Sequence, residues 1–192
     1  MDELTRYYRE SLLADLCDEY KGYWQSAKND KEKLIRLSLS QQAIPHVASF
    51  AYMGKGLSKE FFLREFSDYI NGYTIHDADD VKGFTYGLYV DYNDVLDIDK
   101  DVTHIMWSVG TSVVVPLTKA PIIYVTNKSD VHLICEGYNN VKVYLFDESR
   151  LTIDDLGEDG DVVVYKYSTS CDVVKGKYCL GSVKEFAKEL RL

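Results

Sequence analysis

Imidazole is the side chain best suited to proton transfer and metal ligation near neutral pH, so His46, His76, His104 and His132 come first. None of them stands in an H-E-x-x-H or related ligand spacing. One compact polar group, His76 with Asp77, Asp79 and Asp80, could hold a divalent cation; otherwise it is a solvated loop between helical and strand regions. Asp97, Asp99 and Asp101 alternate, which puts three carboxylates on one face of a strand or lets a loop gather them around calcium. A calcium loop also needs glycine at its sixth and glutamate at its twelfth position, and here Val102 and Ser108 stand there. Nucleophilic chemistry has no sequence signature: there is no G-x-S-x-G turn, and Cys17, Cys135, Cys171 and Cys179 are scattered with no C-x-x-C pair. Gly54 and Gly56 lack the further glycine and lysine of a phosphate-cradling loop. These patterns predict no cofactor and no metal. Catalysis would need residues dispersed in sequence and assembled in space.

Contact chemistry is better represented. Asp147, Glu148, Asp154, Asp155, Glu158, Asp159 and Asp161 crowd a short stretch. On stacked strands about 4.8 Å apart they would form a dense negative ridge, able to imitate a phosphate backbone or simply to discourage sheet-to-sheet association. The sixteen tyrosines suit broad contacts, because tyrosine covers a large area at modest entropic cost and hydrogen-bonds at its tip.

The elements that would carry these residues change character near residue 76. Before it, apolar residues recur at three and four. Leu4, Tyr8, Leu12, Leu16, Tyr20 and Trp24 form one face of a long helix. Asn29 or Asp30 is placed to cap a second helix carrying Leu34 and Leu37, and Pro45 suits the first turn of a third, broken by Met53-Gly54-Lys55-Gly56. Ser58 caps a fourth with Phe62, Phe66, Tyr69 and Ile70 inward, and Asn71-Gly72 stops it.

Beyond Tyr73 the period becomes two, beginning with Phe84, Tyr86, Leu88 and Val90. Apolar units then start at Val113, Ile122, Val131, Val141, Leu151 and Val162, at offsets of 9, 9, 10, 10 and 11, each ending in turn residues. Alternation puts Val131, Leu133, Cys135, Val141, Val143, Leu145, Leu151, Ile153, Val162 and Val164 in one interior layer. When units are aligned on their first apolar residue, Val125, Ile134, Tyr144 and Tyr165 form an outer stripe, to be covered by the amino-terminal helices or by a partner. Units this short must stack to share a core. They do so as a β-solenoid with two or three units per turn, or as an antiparallel sandwich or meander. Ser182 and Glu185 have capping-box spacing, and Val183, Phe186, Ala187 and Leu190 share a helical face, so a short helix is expected to cap the end. The expected organisation is α+β: a helical region at 1–76, a short-repeat solenoid-like region at 77–181 and a capping helix at 182–192.

The formal charge of −9 is uneven: residues 77–172 hold 18 acidic and 7 basic side chains, the remainder 13 and 15. An acidic strand region argues against direct binding to nucleic acid. Without a long apolar run or a secretory leader, the expectation is a cytoplasmic protein with no membrane partner.

Ser129-Asp130-Val131-His132-Leu133, the stretch from Val141 to Ser149, and Val164-Tyr165-Lys166-Tyr167-Ser168 resemble the repeated strand-and-corner units of uncharacterised proteins carried by phages and prophages of gut bacteria. Some of those have a more regular valine, x, alanine, tyrosine, glycine, x, serine repeat, from which this chain departs at Phe146 and Asp154-Asp155. The likeness takes in the stretch from Asp80 to Tyr86 and the carboxyl tail. It implies a mobile-element origin and a β-solenoid, and brings no catalytic residue. The resulting expectation is a phage-encoded, non-catalytic protein of the host cytoplasm that inhibits a host defence nuclease or its complex through its acidic turns and outer stripe. An accessory virion protein that self-associates is the alternative, and a hydrolase with a dispersed site the third reading.

Overall fold

Parallel pairing between strands about twenty residues apart organises this chain, in a computed structural model that describes residues 5, 6, 9, 18–27, 30–39, 58–76, 83–137 and 140–189. Among the described residues, the helices α1 (Asp18–Ser26), α2 (Lys31–Leu39) and α3 (Lys59–Glu65) and a 3-10 turn at Ser67–Tyr69 precede twelve strands. These are β1 (Ile75–His76), β2 (Thr85–Val90), β3 (Val95–Asp97), β4 (Val102–Met106), β5 (Val109–Val115), β6 (Ile122–Thr126), β7 (Asp130–Cys135), β8 (Asn140–Leu145), β9 (Arg150–Leu156), β10 (Asp161–Lys166), β11 (Asp172–Cys179) and β12 (Ser182–Ala187). From β2 onward the chain alternates between a first sheet, ordered β1-β2-β4-β6-β8-β10-β12, and a second, ordered β11-β9-β7-β5-β3. One strand from each makes a coil. The result is a β-solenoid of five coils, two units to a coil, with β12 beginning a sixth on the first sheet. Successive partners Tyr86, Val102, Ile122, Lys142, Val163 and Lys184 lie 16, 20, 20, 21 and 21 residues apart. Among the described residues every strand pairing is parallel except β1 with β2, which does not favour the sandwich and meander alternatives.

The interior forms because alternate residues of both sheets point between them. All ten predicted interior residues, from Val131 to Val164, are there, joined by Ile105, Val113, Ile123 and Val125. Val125 is thus a core residue and not part of the outer stripe. The Ile122-Ile123-Tyr124-Val125 run is apolar at every position, so its parity is set by pairing: Val125 stands beside Leu145 and Tyr124 beside Tyr144. A one-residue slip exchanges the two faces.

The helices cover the outer face of the first sheet in its early coils. Trp24, Leu34, Ile35, Leu37, Phe61, Phe62 and Phe66 form one cluster with Tyr86, Leu88, Val90, Val102, Met106 and Tyr124. Two predicted caps are in place: Asp30 Oδ1 accepts from the Lys33 amide at 3.1 Å, and Ser58 Oγ from the Phe61 amide at 3.1 Å. Asn71 (φ 53°) takes the left-handed conformation at the helical exit and clamps it to β2, accepting from the Val90 amide at 2.9 Å and donating to the Val90 carbonyl at 3.1 Å. The Pro45 helix, the Met53–Gly56 break and the row's Leu4, Tyr8, Leu12 and Leu16 lie outside the described residues, as do Asp77, Asp79 and Asp80.

The expected capping helix is a strand. Ser182 to Ala187 pair one by one with Asp161 to Lys166 of β10. The capping-box spacing is present, but a helix this short has little stability of its own, while β10 offers a complete row of backbone partners.

Candidate binding surfaces

The first four coils turn from the first sheet to the second through a corner whose leading residue takes a left-handed backbone: Asp91 (φ 53°), Trp107 (52°), Asn127 (56°) and Asp147 (51°). Asp and Asn tolerate that region better than most L-residues; tryptophan does so poorly. Inside the same corners Ser108, Ser129 and Ser149 are fully buried. Ser129 Oγ donates to the Thr126 carbonyl at 2.6 Å and accepts from the Ser108 amide at 3.1 Å, tying consecutive coils together. These serines stand where an apolar side chain would leave backbone groups unpaired.

The acidic residues do not form one ridge. Asp147 and Glu148 lie on the corner between β8 and β9, and Glu158 and Asp159 on the opposite corner, between β9 and β10. Asp154 and Asp155 lie within β9 on the second sheet, and Asp161 opens β10 on the first. Several are already engaged. Asp147 accepts from the Lys128 amide at 2.9 Å and Ser149 Oγ at 3.1 Å, and burial pushes its carboxyl above the usual range. Glu148 pairs with Lys128 at 3.1 Å, Asp161 with Lys184 at 3.4 Å, and Asp154 with His132 Nδ1 at 2.8 Å.

The outer stripe divides between sheets. Ile134 is half-buried on the second sheet, next to Val114 and Asp155. Tyr144 and Tyr165 belong to a column on the first sheet that runs His104, Tyr124, Tyr144, Tyr165, Phe186, with ring centroids 4.5, 4.8, 4.9 and 5.7 Å apart and planes within 26° of parallel. Phe146 and Tyr167 stack beside it at 4.7 Å. His104 and Tyr124 are buried under the helices, Tyr144 and Tyr165 are half-buried, and Phe186 is 46% exposed. The predicted helical cover therefore reaches the near half of the column and thins along the far half. There Lys142, Lys184 and Lys188 flank the rings, Lys188 Nζ lying 5.4 Å from the centre of the Tyr165 ring. Because the rings stack face to face, this surface presents ring edges, phenolic oxygens and ammonium groups.

The groups best suited to catalysis are placed unfavourably for it. Burial holds His104 near pKa 3, so it is a neutral member of the stack. Burial pushes the Cys135 thiol up to about 12 and Cys171 to about 11, leaving both as protonated packing groups. His132 stands between Ser112 and Thr152 on the second sheet, with Asp154 as its ring's hydrogen-bond partner. Of the three alternating aspartates, Asp97 is exposed, Asp99 pairs with Lys100 at 2.5 Å, and Asp101 accepts from the Thr85 amide and hydroxyl at 2.9 and 2.7 Å. Among the described residues no three histidine, cysteine or carboxylate side chains group as metal ligands, and no helix is long and apolar enough to cross a membrane.

One concavity lies along the corner column. A cleft of about 320 Å³ is lined by Lys59 at the start of α3 and by Trp107, Val109, Asn127, Lys128 and Asp147 of the solenoid. Periodicity concealed it, because its residues come from one helix and three separate corners. The recurring signal was the corner triplet itself, Asn127-Lys128-Ser129 and Asp147-Glu148-Ser149. The chain matches no protein-family model, no curated protein and no solved structure.

Proposed function

We propose that this is a non-catalytic binding protein that docks a protein partner on the far half of its first sheet, where Tyr144, Tyr165, Tyr167 and Phe186 emerge from beneath the helices. The observation that carries the reading is the column's own geometry. Tyr144 and Tyr165 are stacked on both faces and leave none for a nucleobase, whereas their ring edges and phenolic oxygens, the flanking lysines and the exposed end ring Phe186 match the mixed apolar and polar contacts of a protein interface. In keeping with the resemblance to phage and prophage proteins, the partner is a host component that the protein inhibits, a defence nuclease or its complex being the leading case. The carboxylates on the solenoid edges and on the second sheet steer the approach and do not form the central contact.

The test is capture from host lysate followed by size-exclusion chromatography of the complex. Lys142→Glu with Lys184→Glu, and separately Tyr144→Ser with Tyr165→Ser, are expected to abolish a stoichiometric complex while the far-ultraviolet circular dichroism stays that of the parent. Asp154→Asn, Asp155→Asn, Glu158→Gln and Asp159→Asn together are expected to slow association without abolishing it. A complex that survives both first-sheet variants and is lost in the acidic one overturns this assignment of the surface.

A further inference from the structure

The corner cleft is chemically distinct from the tyrosine face. Its two lysines already have partners, Lys59 with Asp91 at 3.0 Å and Lys128 with Glu148 at 3.1 Å, and Asp147 adds a carboxylate to the same wall. A ligand with a full charge of either sign meets a like charge there and competes with an exposed ion pair. A neutral ligand rich in hydroxyl groups does not: each hydroxyl both donates and accepts, so it can take hydrogen bonds from the ammonium groups and give them to the carboxylates without breaking either pair. The cleft volume is at the small end of the range for small-molecule sites, enough for one compact ligand.

Trp107 adds a second, independent observation. It occupies the left-handed corner position that Asp91, Asn127 and Asp147 fill in three other coils, where a bulky side chain is the least suited. The ring touches Phe62 of α3 at 5.7 Å between centroids and also lines the cleft. A flat aromatic surface beside closely spaced donors and acceptors matches a ligand with one apolar C–H face and a rim of hydroxyls. We infer that the cleft between α3 and the corner column binds one neutral saccharide unit, with Trp107 as its platform and Lys59, Asn127, Lys128 and Asp147 as its polar contacts.

The chain has two tryptophans, and Trp24 is fully buried, so Trp107 is the natural fluorescent reporter. The protein is titrated with methyl glycosides of glucose, galactose and mannose and with N-acetylglucosamine, with choline and sulfate as charged probes and glycerol as a simple polyol. The expected result is a saturable change in tryptophan emission with at least one sugar and with none of the controls. Ligand-observed saturation-transfer NMR on Lys128→Ala and Asn127→Ala, with Trp107→Leu as a third variant, should show at least a tenfold weakening, while Tyr144→Ser with Tyr165→Ser leaves sugar binding unchanged. The inference is overturned if no sugar in the panel saturates, if choline or sulfate binds in its place, or if Lys128→Ala and Asn127→Ala bind as the parent does. A lost protein complex with sugar binding intact, or the reverse, separates this inference from the proposed partner surface.

Discussion

His104 illustrates how far a side chain's surroundings can remove it from its usual chemistry. It is stacked on Tyr124 at 4.5 Å, fully enclosed by the helices, and held near pKa 3 by burial, against which only the Leu39 backbone favours the charged form. The unfolded chain takes up a proton near pH 6.5 that the folded chain refuses until about pH 3. Stability from this group is therefore complete above about pH 6.5 and declines as pH falls through that window, by up to about 1.4 kcal/mol per pH unit. His104→Phe, which keeps a ring in the stack, should flatten the dependence of the urea midpoint on pH between 6.5 and 4 relative to the parent; unchanged slopes would mean that the imidazole is hydrated in the folded state. Ser129 makes the complementary point with an uncharged group. Ser129→Ala leaves the Ser108 amide without its acceptor in a fully buried corner and should cost about 1 to 3 kcal/mol in chemical denaturation. Exposed Ser170→Ala is the control expected to be near neutral.

At the scale of elements, the strand-plus-corner unit was legible wherever polar and apolar residues alternate. Val131, Leu133 and Cys135, or Val141, Val143 and Leu145, declare their faces because a polar or half-exposed residue separates them. At Ile122 to Val125 no such contrast exists, and Tyr124 was exchanged for Val125. The outer column follows the same rule: Tyr144 and Tyr165 alternate with interior residues and lie on the outer face as expected, but the column's course through His104 and Phe186 follows from register between coils, which a linear sequence does not state. The acidic stretch was misjudged for a related reason. Adjacent residues travel round both corners of a coil, so closeness in sequence placed Asp147 and Glu158 on opposite edges. Segment 182–187 carries a helical signal that only the waiting edge of β10 overrules. That docking depends on a tight corner at Gly181, where an added Cβ would sit 2.4 Å from the carbonyl oxygens of both Gly157 and Gly160. Gly181→Ala should release β12 locally. Hydrogen exchange is expected to accelerate for the β12 amides by tenfold or more while those of β6 and β8 stay protected; uniform acceleration would instead mean that the last coil is integral to the whole stack.

For the whole molecule, stacking creates a difficulty, since a parallel solenoid with bare end strands invites another chain to continue it. The column of inward residues on the second sheet runs Leu96, Val113, Leu133, Ile153 and then Lys175. On the first sheet it runs Gly87, Thr103, Ile123, Val143, Val164 and then Glu185. Both columns thus end on a charge at a position that is apolar in at least the three coils before it, and the pairing of β11 is further disturbed by a bulge between Lys175 and Tyr178. At the opposite end, Gly87 leaves room for the Tyr89 ring and the Lys100 stem, which fold against it at 3.0 and 3.2 Å from where its Cβ would lie. Lys175 and Glu185 are exposed on the last coil, Glu185 pairing with Lys166 at 3.3 Å, and charges in register with the interior columns, together with the bulge, obstruct further strand addition because a docking chain would have to bury them away from water. These features oppose growth of the solenoid by end-to-end strand addition. Lys175→Val with Glu185→Val removes that obstruction while lengthening both apolar columns. The double variant should keep its circular dichroism and melt no lower than the parent, yet show concentration-dependent growth in mass by sedimentation velocity, where the parent's mass stays constant over the same range. If the double variant's mass is as constant as the parent's, the two charges are incidental, and the bulge in β11 or another feature of the last coil blocks strand addition.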